Sequence, residues 1–232
     1  MTDLARYLDE LLFGALPFVA LVLFLIGTIY RYRMQSFTYS SLSSQFLENR
    51  QHFWAMVLFH YGILMVVAGH VVAFLIPRSI LAWNAKPLRL YILEGSALAF
   101  GIMTLVGLLA ILLRRGSSRK LRVVTSKADL VLYFLLVVQV ASGVYVALFH
   151  PWGSSWFASS AAPYLRSLLK LSPEVGWIAA MPFAVKLHIV NAWLLIAFFP
   201  FTRLVHIWSF PFGYAMRAYQ IVRTKRRDQV GI

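Results

Sequence analysis

Apolar positions in this chain do not alternate with polar ones; they gather into five long runs, at residues 11–30, 54–76, 90–113, 130–149 and 181–206. A helix needs about 20 apolar residues to cross a hydrocarbon core roughly 30 Å thick. In such a core no water is present to bond backbone N–H and C=O groups, so each run predicts a helix that satisfies its own backbone. The expected fold is all-α: an integral membrane bundle of five transmembrane helices, with residues 1–232 forming a single domain. Pro200 falls inside the last run, where its missing N–H is expected to end or kink the helix. The longest stretch between runs, 150–180, begins HPWGSSW and contains LRSLLKL, whose apolar spacing predicts a short helix lying at the membrane surface.

Composition agrees: 60% of residues are hydrophobic and 13% are charged, against about 25% charged in an ordinary soluble domain. The mean hydropathy is +0.73. The opening MTDLARYLDELLF has neither a basic start nor a small-residue cleavage site, so the first run is expected to stay in the mature protein. No cysteine is present, which excludes disulfides, thiolate metal sites and iron–sulfur clusters held by this chain. Histidine, carboxylate and thioether remain as metal ligands.

The formal charge of +14 would suit nucleic acid, but its distribution indicates a membrane topology. Fifteen of the 22 basic residues fall on one side of the five runs: Arg31, Arg33 and Arg50, the RRGSSRKLRVVTSK segment, Arg203, and a tail from Arg217 to Arg227. Six fall on the other, and Lys186 lies just inside the fifth run. Basic loops stay cytoplasmic, so the expected orientation is N-terminus outside and C-terminus cytoplasmic, in the cell inner membrane. The basic rim is suited to anionic lipid or a docked partner, and nucleic acid is not expected.

Ionisable groups within spans are functional candidates. Of six histidines, His60 and His70 share the second run, and His188 and His206 share the fifth. His52 and His150 lie at run ends and are read as interfacial. Because the two runs cross in opposite directions, His70 and His188 come to one depth, and His60 and His206 to another. Each pair can supply both axial nitrogens of one haem iron; zinc fits less well, since no carboxylate or thiolate accompanies either pair. One feature of the spacing opposes this pairing. His60 and His70 are about 15 Å apart along a straight helix, whereas His188 and His206 would be about 27 Å apart. Tilt, the expected kink at Pro200 and the reach of the imidazoles must absorb the difference. Gly62 and Gly69 lie near the histidines, where they suit either a haem face or helix packing.

The segments LFHYGILMVVAGH at 58–70, KLHIVNAWLLIAFFPFTRLVHIWSFP at 186–211, SSLSSQFLENR at 40–50 and YQIVR at 219–223 resemble the gamma (cytochrome b) subunit of respiratory nitrate reductase. The resemblance implies a five-helix subunit that anchors a cytoplasmic iron–sulfur beta subunit and a molybdenum-containing alpha subunit. Such a subunit oxidises quinol near the outer face and passes electrons inward through two b haems, without itself reducing nitrate. It implies His70 and His188 as axial ligands of the outer haem, and His60 and His206 of the inner one. For the quinol site it implies a basic residue between the second and third runs, where Lys86 and Arg89 qualify, with Glu94 a candidate proton acceptor. Arg203 is a candidate partner for a haem propionate. Related cytochromes of sulfite-reduction and heterodisulfide-reductase-like complexes share the histidine layout and are the alternative within this chemistry. A haem-free anchor or transporter is the alternative outside it, although no repeat is visible and Pro200 is the one clear interior break.

Overall fold

The computed structural model describes residues 3–35 and 50–208, with only the backbone of residues 50–52. The 40–49 part of the SSLSSQFLENR segment, the tail with YQIVR, and the side chain of His52 therefore lie outside the described residues.

Among the described residues every regular element is helical. The five spanning helices are α1 (Asp3–Met34), α2 (Arg50–Leu75), α4 (Pro87–Ser117), α6 (Lys127–Phe149) and α9 (Phe183–Phe198). Short helices join them: α3 (Pro77–Asn84), α5 (Arg119–Val123), α7 (153–169) and α8 (Gly176–Ala179). The boundaries follow local chemistry. Pro77 and Pro87 open α3 and α4, where a missing N–H costs nothing. Ser126 and Asp129 form a reciprocal capping box at the start of α6.

At most 22% of any span is buried within the chain. Leu23, Ile26, Leu64, Leu113, Phe134 and Leu148 are all exposed. Such an apolar exterior would aggregate in water and is the expected surface against lipid.

Helix α2 packs chiefly on α4, α4 also on α6, α6 on α9, and α9 on α1. The two histidine-bearing spans, α2 and α9, share no extensive packing and face each other across the arc the others form. The α2–α4 contact is close because both helices lack a side chain where they meet. A Cβ on Gly62 would lie 2.5 Å from Thr104 Oγ1, and one on Gly107 would lie 2.4 Å from the Phe59 nitrogen. Gly62 is therefore a helix-packing glycine. Gly69 differs: a Cβ there would meet nothing within 4 Å.

The 150–180 segment contains a short helix, α7, as expected. It forms a lid packed over one end of the bundle, with Ala161, Tyr164 and Leu168 buried against Phe13 of α1, Ile178 of α8 and Trp193 of α9. Pro17 has no N–H to bond to the Phe13 carbonyl one turn back, and a π-helical turn, Glu10–Ala15, precedes it. The freed Phe13 carbonyl accepts the buried Tyr164 hydroxyl at 2.7 Å. Burial pushes that phenol well above its ordinary pKa, so it stays a donor. Arg166 similarly donates to the Phe74 and Leu75 carbonyls, 3.1 and 3.2 Å, in the otherwise unpaired last turn of α2.

Gly107→Val should force α2 and α4 apart at a cost of about 1–3 kcal/mol, lowering Tm in detergent. Gly95→Ala, where a Cβ meets nothing within 4 Å, should leave Tm unchanged. Equal melting of the two variants would contradict the close α2–α4 contact.

Candidate functional site: two histidine pairs across the bundle

The fifth run is not one helix. Helix α9 ends at Phe198, a 3-10 turn covers Phe199–Phe201, Thr202 is extended, and a second 3-10 stretch covers Arg203–Ile207. Pro200 cannot bond the Ile196 carbonyl, so the helical ladder stops there. The Thr202 hydroxyl then accepts the Leu204 N–H at 3.1 Å and starts the next turn. The chain between His188 and His206 is thus not one straight helix.

The break is fastened by charge. Arg31, at the end of α1, donates to the Pro200 carbonyl at 2.6 Å and the Thr202 carbonyl at 2.8 Å. Asp129, with 4% of its side chain exposed, takes Arg203 in a two-toothed pair at 2.6 and 2.8 Å. Arg115 approaches the same carboxylate at 3.9 Å. Arg203 also donates to the Val124 carbonyl at 3.2 Å. The expected propionate partner therefore holds the 203–207 turn against the start of α6.

With the break in place, His206 faces His60 with ring centroids 6.2 Å apart and planes at 68°. His70 faces His188 at 6.4 Å and 33°. These are the pairs expected from depth. A metal about 2 Å from a ring nitrogen lies about 3 Å from that ring's centre, so two axial imidazoles need centroids about 6 Å apart. Both separations match this value.

Ring orientation is also set. The Nδ1 atoms of His60, His70 and His206 lie 2.9, 2.8 and 2.6 Å from the carbonyls of Met56, Val66 and Arg203. A carbonyl only accepts, so Nδ1 carries the proton and Nε2 keeps its lone pair for a ligand. Among the described residues no group of three or more histidines or carboxylates is suited to a bare metal ion. Two imidazoles fit an ion that brings its other ligands with it, as haem iron does with its ring.

The proposed quinol residues are distributed differently. Lys86 precedes α4 and is exposed. Arg89, also exposed, lies over the Trp83 ring at 5.0 Å, and its carbonyl accepts the Trp83 indole N–H. Glu94 accepts the backbone N–H and hydroxyl of Ser154 at 2.8 and 2.5 Å, while Asn84 donates to the Ser154 and Ser155 hydroxyls. Glu94 thereby ties down the segment whose Phe157 packs edge-on against His70, centroids 5.3 Å apart. No described hydrogen bond or ring contact joins Lys86, Arg89 or Glu94 to either histidine pair. Sequence reasoning missed Gln139 and Ser142, which contact His188, Asn191, which bonds Gln139, and the Asp9–Lys186 ion pair at 2.8 Å. The available signal was their polarity inside otherwise apolar runs.

Comparison with known sequences decides the family. The profile described as "Nitrate reductase gamma subunit" matches residues 9–225. The chain belongs to the nitrate reductase gamma subunit family. It is 32% identical to the nitrate reductase gamma chain of Bacillus subtilis (strain 168), covering 93% of this chain and 98% of that one. It is 31% identical to the respiratory nitrate reductase 2 gamma chain of Escherichia coli (strain K12), covering 95% and 99%. To the respiratory nitrate reductase 1 gamma chain of that organism it is 32% identical, with the same coverage. A gamma subunit belongs to an oxidoreductase complex, so alpha and beta partners are implied. The five spans make this family member a multi-pass membrane protein.

Asp129→Ala removes the carboxylate that pairs with Arg203 and approaches Arg115. Breaking a buried pair from one side costs about 3–5 kcal/mol, so Tm should fall and the 201–208 turn should loosen. Because the chain has no cysteine, Leu204→Cys is a clean reporter: its maleimide labelling should accelerate in the Asp129→Ala background. Unchanged labelling would show that Asp129 does not hold the turn.

Proposed function

We propose that this gamma subunit is a dihaem cytochrome b that takes electrons from quinol and delivers them to a respiratory nitrate reductase. The observation that carries the reading is the pair of imidazole couples at axial-ligand separation, each bridging two spans that do not otherwise pack extensively. His70 and His188 would hold the outer haem, and His60 and His206 the inner one. Haem b bound at both places supplies one-electron steps between the two ends of the bundle.

The chain's own contribution is placement. Nδ1–H bonds to helix carbonyls aim the Nε2 lone pairs of His60, His70 and His206 inward. The Arg31, Arg203 and Asp129 contacts hold His206 at the depth of His60. At the opposite end, α3 and the lid lie beside His70, and the exposed cations Lys86 and Arg89 are suited to a quinone oxygen. Glu94, bonded to Ser154, orients the lid there. Protons released from quinol at that end would leave on the outer side.

The basic end carries Arg31, Arg33, Arg114, Arg115, Arg119, Lys120, Arg122 and Arg203. We assign it to the cytoplasmic face of the inner membrane, where anionic lipid and the iron–sulfur beta and molybdenum alpha subunits would meet it.

Purified with haem supplied, the protein should show two b haems per chain in its reduced-minus-oxidised spectrum. His70→Ala and His60→Ala should each lose at least one. A colourless wild type would return the chain to a haem-free anchor or transporter. For sidedness, a cysteine at Lys120 should react with impermeant maleimide only in inverted vesicles, and one at Ser172 only in right-side-out vesicles. The reverse pattern would overturn the assigned orientation.

A further inference from the structure

His188 is oriented differently from its three counterparts. His60, His70 and His206 each bond through Nδ1 to a carbonyl three or four residues earlier in the chain. The Nδ1 of His188 instead lies 3.0 Å from the hydroxyl of Ser142, on α6. Helix α6 carries none of the four paired histidines.

Three linked hydrogen bonds determine the direction of this contact. Asn191 Nδ2 donates to the Leu135 carbonyl at 2.9 Å, which establishes that its amide nitrogen faces α6. The same nitrogen donates to Gln139 Oε1 at 2.7 Å, so the Gln139 amide nitrogen is turned toward the imidazole, 3.3 and 3.2 Å from its two ring nitrogens. An amide nitrogen cannot accept a proton from the ring. Ser142 directs its own hydroxyl proton to the Gln139 carbonyl at 3.1 Å and so presents lone pairs to His188. The Ser142 oxygen is therefore the acceptor for Nδ1–H, which leaves Nε2 unprotonated, 3.2 Å from the Gln139 amide nitrogen, on a ring whose centroid lies 6.4 Å from that of His70. Gly143 completes the site, since a Cβ there would stand 2.9 Å from His188 Cε1.

We infer that Ser142 is a positioning residue for the outer haem, with Gln139 and Asn191 fixing its polarity and Gly143 clearing room for the ring. This rests on the haem ligation proposed above. A hydrogen bond from the distal N–H of an axial imidazole raises that ligand's basicity and so favours the oxidised iron. A hydroxyl that already donates elsewhere is a tunable acceptor, unlike a helix carbonyl held in the backbone ladder. The outer site would thus have its reduction equilibrium set by a side chain from a helix that holds no ligand.

The test uses the assembled complex and the pair Ser142→Thr and Ser142→Val, which match in shape and differ in the hydroxyl. Potentiometric titration of the b-haem absorbance and low-temperature EPR of the ferric haems are the readouts. Ser142→Val should ease reduction of one haem about threefold to tenfold; tenfold is about 59 mV for a one-electron couple. The affected haem should be the one lost in His188→Ala, and its ferric g-values should move with it. Ser142→Thr should retain the wild-type values. Equal potentials and g-values in the two variants, or a shift confined to the His60/His206 haem, would overturn the inference. A wild-type complex without haem would instead overturn the ligation reading on which it depends. If neither variant assembles, Gly143→Ala replaces them: it should perturb the same haem's g-values, and unchanged g-values would overturn the inference.

Discussion

Two helices with unlike histidine spacings must offer imidazoles at matching depths, and that constraint organises the rest of the molecule. Helix α2 is continuous through His60 and His70, so its spacing is set by helical rise. The other partner has to adapt. It does so at Pro200, where a lost backbone hydrogen bond lets the chain leave the helix and re-form as a 3-10 turn carrying His206. The break lies between His188, whose ring is 6.4 Å from that of His70, and His206, whose ring is 6.2 Å from that of His60.

A broken helix exposes backbone groups that lipid cannot satisfy, so the break also explains the charges around it. Arg31 covers the Pro200 and Thr202 carbonyls, and Asp129 pairs with Arg203. The result is a cross-link among α1, the start of α6 and the end of the fifth span. The capping-box carboxylate of α6 thus serves two structures at once: it bonds the Ser126 N–H and it anchors the turn bearing His206. At the other end the same logic recurs at Pro17, whose missing N–H frees the Phe13 carbonyl for Tyr164. In both places a proline opens the backbone, and a side chain distant in sequence closes the gap.

These fastenings leave α2 and α9 opposed across the bundle. The rings of His60, His70 and His206 are held through Nδ1 by backbone carbonyls, which leaves Nε2 of each as the nitrogen with a lone pair. Helix α6 contributes nothing to the pairs directly, yet it holds His188 through Ser142 and Gln139 and holds the His206 turn through Asp129. Gln139, Ser142 and Asp129, spaced along a largely apolar helix, are accounted for by those two tasks.

The five spans, the helix break at Pro200 and the pairing of His60 with His206 and His70 with His188 were all legible in the chain. They depend on local quantities: apolar run length, a missing N–H, and the alternation of direction that equal-length spans impose. What the sequence could not disclose was which polar groups would meet. That Arg203, the candidate propionate partner, pairs with Asp129 74 positions away was not legible. Nor was the bond between Glu94, the candidate proton acceptor, and Ser154. The short helix expected in the 150–180 segment is present, but its burial against Phe13, Ile178 and Trp193 was not legible. Gly62 was equally suited to a haem face and to a helix contact until Thr104 was found against it. Run length and backbone chemistry are written within a few neighbouring residues. A hydrogen-bond partner across the bundle depends on helix rotation and tilt, which only the packed tertiary structure decides.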